Sequence, residues 1–348
     1  MEKKRGLALF LSFPLISTLI TPLLPEIQLI TQFNLDQSKQ ILLLPGDMAV
    51  SDDEDIYFTD RKDSNIKVYG KDGRLLRIFG TKGQGPNEFE EPFTIDVLKD
   101  KICFFDEARF RYYVYNTHFA LLNQFFYPSD AAEFVLCKDQ IISNDYYRDD
   151  KNREYRGLIL GLDGKVKKVL FPILFDKSDF DNRFYLSFAF LDATEDGQFF
   201  FVLKKNLEVT MFNDSGDRIK SFRHVPEFYK KPHLTKAYTN ALRIPQKAHE
   251  AWETWYRNFT WVVGLAALKN ALALGLANFN YTTNKWQYWI QLYDENGNHM
   301  STTMLMEPGS QSPLFFLDSN HADLLYIAEA TQEDKPEYMF YKFRVGIK

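Results

Sequence analysis

The stretch from Asp47 to Pro92, displaced by 46 residues, falls on itself. Ile56 lands on Ile102, Phe58 on Phe104, Asp60 on Asp106 and Val68 on Val114. Tyr69 lands on Tyr115, Leu75-Leu76 on Leu121-Leu122, and Phe79 on Phe125. A match at one fixed offset marks a repeated unit that cannot bury its apolar surface alone. Each unit holds four short alternating runs, and the Lys71-Asp72-Gly73 turn between two of them carries the Asp-Gly signal of a tight hairpin. Four-stranded antiparallel sheets that repeat and stack make a β-propeller.

The units read in order as about 47–80, 93–127, 133–172 and 187–224, a fifth ending in Tyr288–Met304, and a sixth from Leu314 to Val345. The fifth unit opens on the Ala- and Leu-rich run Trp261–Asn278, the least strand-like of all. The sixth has three runs and then the chain stops. The orphan run Ile27–Asn34 supplies its missing outer strand, so the two ends pair and no blade is left incomplete. The reading is an all-β, six-bladed propeller of four-stranded antiparallel blades over residues 26–348, closed by an N-terminal strand. One helical insertion lies within about 225–260. There Ala248, Ala251-Trp252, Trp255-Tyr256 and Phe259 fall at helical spacing after Pro245. Its aromatic stripe either packs on the rim or serves as a lid or docking element.

Residues 1–25 read as a signal peptide or an N-terminal anchor. Glu2-Lys3-Lys4-Arg5 precedes the apolar run Gly6–Leu24, which implies export to an oxidising compartment, periplasmic or extracellular. No Ala-x-Ala-like cleavage site is evident, and a run of about 19 residues is also long enough to stay in the membrane. Contact with a membrane is expected only through this segment, if it is not cleaved. The net charge of −5 gives no basic field for nucleic acid, and the chain is expected to be monomeric. The two cysteines, Cys103 and Cys137, exclude a disulfide scaffold and read as small buried hydrophobes rather than a bridge.

Ile56–Asp60, Asn65–Tyr69, Asp72-Gly73 and Phe79-Gly80, with the linker Gly83-Gln84-Gly85-Pro86-Asn87-Glu88-Phe89 and Pro92, resemble the NHL-type repeat. The likeness is closest over 47–127 and fades beyond 224. It implies one of the exported six-bladed bacterial propellers, a fold that hosts ligand binders, protein- and RNA-binding scaffolds, lyases and lactonases.

In such a ring the loops joining second to third strands share a face with the linkers between blades. Arg61, Arg109, Arg111, Tyr146, Arg148 and Lys204 fall on that face, with Trp252 and Trp255 contributed by the insertion. Arginines among aromatics suit a glycan or an anionic organic molecule, and equally a protein partner. Asp63, Glu107, Asp149, Asp150 and Glu154 are interleaved, so the same stretch also reads as a solvated mixed-charge surface. The Gly83–Pro86 loop opens no helix and reads as a turn, not a phosphate cradle. Asp52-Asp53-Glu54 reads as solvated turn, and Asp60 with Asp106 as acids that hold their own turns. No catalytic set is assembled, so activity is left open. The leading expectation is an exported, non-catalytic binding module with no cofactor. The alternative is a hydrolase or lyase with Ca²⁺ or Zn²⁺ at the channel mouth.

Overall fold

A computed structural model of the protein describes residues 26–38, 40–128, 133–148, 151, 154–172, 189–203, 207–232, 245–306, 314–330 and 337–346. The segment 1–25, with its signal or anchor reading, lies outside the described residues, as does Lys204.

Six four-stranded antiparallel sheets form the ring. Blade 1 comprises Pro45–Val50, Ile56–Asp60, Asn65–Tyr69 and Leu75–Phe79, and blade 2 Pro92–Leu98, Lys101–Asp106, Arg111–Asn116 and Leu121–Phe126. The 46-residue offset survives in the register: Ile56 pairs with Tyr69 in blade 1 and Ile102 with Tyr115 in blade 2. Blades 3 and 4 run from Phe134 to Pro172 and from Ala189 to Phe222. In blade 5 the Ala- and Leu-rich run is two paired strands, Trp261–Leu268 and Ala271–Asn280. Small residues there let neighbouring sheets approach closely. A Cβ on Gly264 would meet the Leu317 side chain of blade 6 at 2.6 Å.

Blade 6 contributes Leu314–Ser319, Leu324–Ala330 and Tyr338–Gly346, and its outer strand is Glu26–Asn34. Ile27 lies opposite Val345 and Asn34 opposite Met339, so the chain closes its own ring. Phe33 completes the contact: its ring stacks on Phe340 at 5.4 Å, and a Cβ on Gly73 of blade 1 would strike it at 2.7 Å. Phe125 crowds Gly164 and Phe222 crowds Gly297 in the same way, at 2.5 and 2.4 Å, so this contact recurs from blade to blade. Gly73, Gly164 and Gly297 all have positive φ, the second reason for glycine at these turns.

Both faces of each sheet are buried, and a separate apolar cluster fills each junction between blades. Ile102 and Phe104 pack toward blade 1, while Cys103 and Phe105 pack toward blade 3. This is the period of two expressed twice over. Cys103 and Cys137 are free and buried at different junctions. The helix α1 (Pro245–Arg257) packs on blade 5, where Trp255, Phe259, Trp261, Phe279 and Trp286 form a satellite core.

Candidate functional site

The loop face is assembled as the topology requires: Arg61, after the second strand of blade 1, reaches Glu91 in the linker and Glu107 in the blade 2 loop. Its guanidinium also covers the Phe93 ring at 4.6 Å. Arg109 donates to the carbonyl oxygens of Glu88 and Gly83 and to the Tyr113 hydroxyl. Both arginines therefore fasten the Gly83–Glu91 linker to the ring. Within that linker the Glu88 carboxylate accepts the Gly85 N–H at 2.6 Å, the place an anion would need.

Arg111 begins a strand beside these groups and is partly buried. Tyr146 and Arg148 lie in the second strand of blade 3, and Trp252 in α1. Trp255 is corrected as a contact residue: it is 5% exposed and packs edge-on to Phe259 and Trp261. Tyr112, next to Arg111 in the same strand, is fully buried against Phe125 and Phe134. Sequence reasoning passed over Phe110, which stands between Arg109 and Arg111. Its side chain is 44% exposed, next to Phe126 at 61%.

Asp60 and Asp106 are structural. Asp60 accepts N–H groups from Leu43, Leu44, Lys62 and Asp63, and Asp106 those of Glu90 and Glu91. Each acid pins the linker entering its own blade, and Asp60 its turn as well; Asp106 makes no such bond to its turn. The Asp52–Glu54 turn is corrected. Glu54 binds Lys342 and the Tyr326 hydroxyl of blade 6, and the Asp52 carboxylate lies 3.5 Å from His321 Nδ1, so the turn ties blade 1 to blade 6.

The innermost strands carry a feature with threefold regularity inside the sixfold ring. Asp96, Asp192 and Asp318 occupy one equivalent position in blades 2, 4 and 6, opposite Cys103, Phe200 and Tyr326. Blades 1, 3 and 5 have Ala49, Val135 and Ala266 there. Each carboxylate accepts the N–H one residue further along in the next blade: Leu136, Ala267 and Val50 in turn. Asp96 and Asp192 also accept the N–H of their own following residue, Val97 and Ala193. Asp47 makes a related bridge to Ile95 at 3.1 Å. Asp47, Asp96 and Asp318 are partly covered, and Asp192 is buried. Among the described residues no group of His, Cys, Asp and Glu is placed to hold a metal ion.

Burial pushes these carboxyls up. Asp47 and Asp192 rise to about 7 against the pull of their N–H donors, with the charge of Asp96 adding to both. Asp96 is raised by burial, and Asp318 well above the carboxylate range by burial and the charge of Asp192. His321 is 7% exposed; burial opposes its charge, but Asp52, Asp192, Asp318 and Asp96 outweigh this and lift it to about 10. An acid raised in the folded state contributes stability fully present below its unfolded value and lost as pH rises through the folded one. For Asp47 and Asp192 that window runs from 3.8 to about 7. His321 has the same sign, with a window from 6.5 to about 10. Glu54 and Asp63 have the opposite sign: burial works against them, but bonds to Lys342 and Lys67 hold them low, so their contribution is lost only in acid. Urea midpoints are therefore expected to fall steadily from mildly acidic pH to alkaline pH. A midpoint constant or rising over that range would show that the N–H bonds, which favour the ionised carboxylates, outweigh burial.

No protein-family model matches the chain, and no curated protein does. Solved structures do match. A member of the DUF4221 family from Bacteroides vulgatus superposes with a TM-score of 0.65 at 12% identity, over 93% of this chain and 99% of that one. A candidate exported protein of Bacteroides fragilis gives 0.62 at 14% identity, over 93% and 96%. At such identity the likeness is one of fold: the chain is a six-bladed β-propeller like theirs. The NHL likeness remains one of pattern.

Proposed function

We propose that the chain is an exported, non-catalytic binding propeller that takes a ligand or partner on the face of second-to-third loops and linkers. Export is supported by the N-terminal pattern and by the Bacteroides fragilis neighbour. The observation that carries the binding reading is Phe110. Its backbone is left-handed at φ 52, a conformation costing a bulky side chain about 1–2 kcal/mol. The loop is nonetheless fixed: Phe110 N–H donates to Glu107, Tyr127 N–H donates to the Phe110 carbonyl, and Arg109 is tied to the linker. A rigid, exposed aromatic pair beside Arg111 suits stacking on a sugar ring or an organic anion, or anchoring in a protein partner.

The test is a thermal-shift screen of the full chain against glycans and carboxylated or sulfated organic compounds, with hits titrated by calorimetry. Phe110→Gly removes the ring and the backbone strain together. It is expected to weaken a hit about tenfold, the equivalent of 1.4 kcal/mol, while its stability stays within about 1 kcal/mol of the parent. Absence of any hit, or unchanged binding by this variant, sinks the proposal. The alternative is a metal-dependent hydrolase or lyase drawing on Asp96, Asp192, Asp318 and His321, whose charges act on one another, although among the described residues no such group is placed to hold a metal ion. The N–H bonds those carboxylates already accept weigh against it. Stoichiometric Ca²⁺ or Zn²⁺ surviving chelator treatment would put that reading first.

A further inference from the structure

The linker and loop of blade 2 carry five carboxylates, Glu88, Glu90, Glu91, Asp106 and Glu107, and each has a partner. Glu88 accepts the Gly85 N–H, and Glu91 and Glu107 bond to Arg61. Glu90 and Asp106 lie 3.8 Å from the Nε of Arg109, and Asp106 also accepts the N–H groups of Glu90 and Glu91. Arg111 is left over. It is partly buried at the start of its strand, and among the described residues no carboxylate or carbonyl reaches its guanidinium. A partly desolvated cation without a counter-charge is costly, and a bound anion removes that cost.

The strand register sets what lies beside it. Arg111 is directly opposed to Phe126 in the antiparallel pair, which puts both side chains on one face with Cβ atoms about 5 Å apart. The Phe126 ring meets that of Phe110 at 6.5 Å and 69°, and both are exposed. An inorganic anion would satisfy the guanidinium and leave the rings bare. A ligand touching both rings must offer apolar surface in two directions, because the rings stand nearly perpendicular. A flat aromatic anion does not, whereas a chair-shaped pyranose presents C–H groups on its faces and its edge. A carboxylate or sulfate on that pyranose accepts paired N–H bonds from the guanidinium fork.

We infer that Arg111, Phe110 and Phe126 form a subsite for an anionic pyranose, a uronate or a sulfated sugar, whose oxyanion is required for binding. The subsite lies within the loop face proposed above and so rests on that reading, to which it adds the charge and the ring. The test is calorimetric titration of the full chain with three oligosaccharides of equal length: an oligogalacturonate, a sulfated galactan fragment and an uncharged galactan fragment. Expected is binding of the uronate, the sulfated sugar or both at least about tenfold tighter than the uncharged one; which of the two binds identifies the oxyanion. Arg111→Gln is expected to keep the parent's thermal midpoint, since no internal partner is lost, and to bind anionic and uncharged sugars alike. Arg111→Lys keeps the charge without the fork and is expected to fall between them. Phe126→Ser is expected to weaken charged and uncharged sugars together. Equal affinity of the parent for all three sugars, parent-like binding by Arg111→Gln, or a lowered midpoint that exposes an internal partner overturns the inference. If Phe110→Gly still weakens binding in those cases, the loop face stands without the subsite. No binding of any of the three overturns the subsite as well, while a non-sugar hit in the thermal-shift screen leaves the loop face in place.

Discussion

Lys67→Met is expected to lower the unfolding free energy by about 3–5 kcal/mol, the range for stranding one partner of a buried ion pair. The Lys67 side chain is wholly buried, and its ammonium meets Asp60, Asp63 at 2.7 Å and the Ile41 carbonyl at 2.8 Å. Asp60 in turn holds the Leu43-Leu44 segment and the Lys62-Asp63 turn through four N–H bonds. Removing the ammonium leaves the carboxylate buried without its counter-charge, although the N–H donors remain. The measurement is urea denaturation at neutral pH. A loss below about 1 kcal/mol, the value of a surface pair, would show that the pair is not buried as described. The double variant Lys67→Met with Asp60→Asn is expected to recover part of the loss.

Phe58→Ala is expected to cost about 3–5 kcal/mol, the usual loss for a fully buried phenylalanine. Phe58 lies at the junction where the ends of the chain meet, with ring centroids of Phe316 and Phe340 at 5.7 Å and Tyr69 at 6.3 Å. Its repeat counterpart Phe104 is enclosed alike at the next junction, by Phe89 at 4.8 Å and Tyr113 at 5.1 Å. Phe104→Ala is therefore expected to cost the same. An open ring would leave Phe58 covered by its own blade alone, and its substitution would then cost far less than that of Phe104. Equal losses support closure, and a marked inequality argues against it.

The blades were legible because apolar alternation, turn glycines and the 46-residue offset all report on the same local geometry. Phe33 shows how far the signal reached: it precedes Phe79 by the same 46 residues and makes the equivalent blade-to-blade contact, so the closing strand belongs to the repeat itself. The counter-charges were not legible. Tyr113 stands at the repeat position of Lys67, and the cation near Asp106 comes instead from Arg109, 3.8 Å away in the loop. Arginines that look free in a mixed-charge loop are committed once the linker folds over them, as Arg61 shows. The carboxylates bonded to the next blade left a trace in the sequence. Ile95-Asp96-Val97, Leu191-Asp192-Ala193 and Leu317-Asp318-Ser319 each place an acid inside an apolar strand, where a polar group persists only if something bonds it. That the donor is the next blade's backbone depends on contacts some 40 to 270 positions away, which no local pattern encodes.

Ring closure depends on the first strand completing the last sheet in one register. The direct test is an engineered disulfide between Gln28 and Arg344, which face each other across that pair and are both exposed. Opposed residues in an antiparallel pair lie within the span a disulfide bridges. The double variant Gln28→Cys with Arg344→Cys is expected to oxidise spontaneously in the folded protein and to unfold at higher urea, whereas Gln28→Cys with Lys342→Cys should stay reduced. Failure of the first pair to bridge, or equal bridging by the second, would contradict ring closure as described.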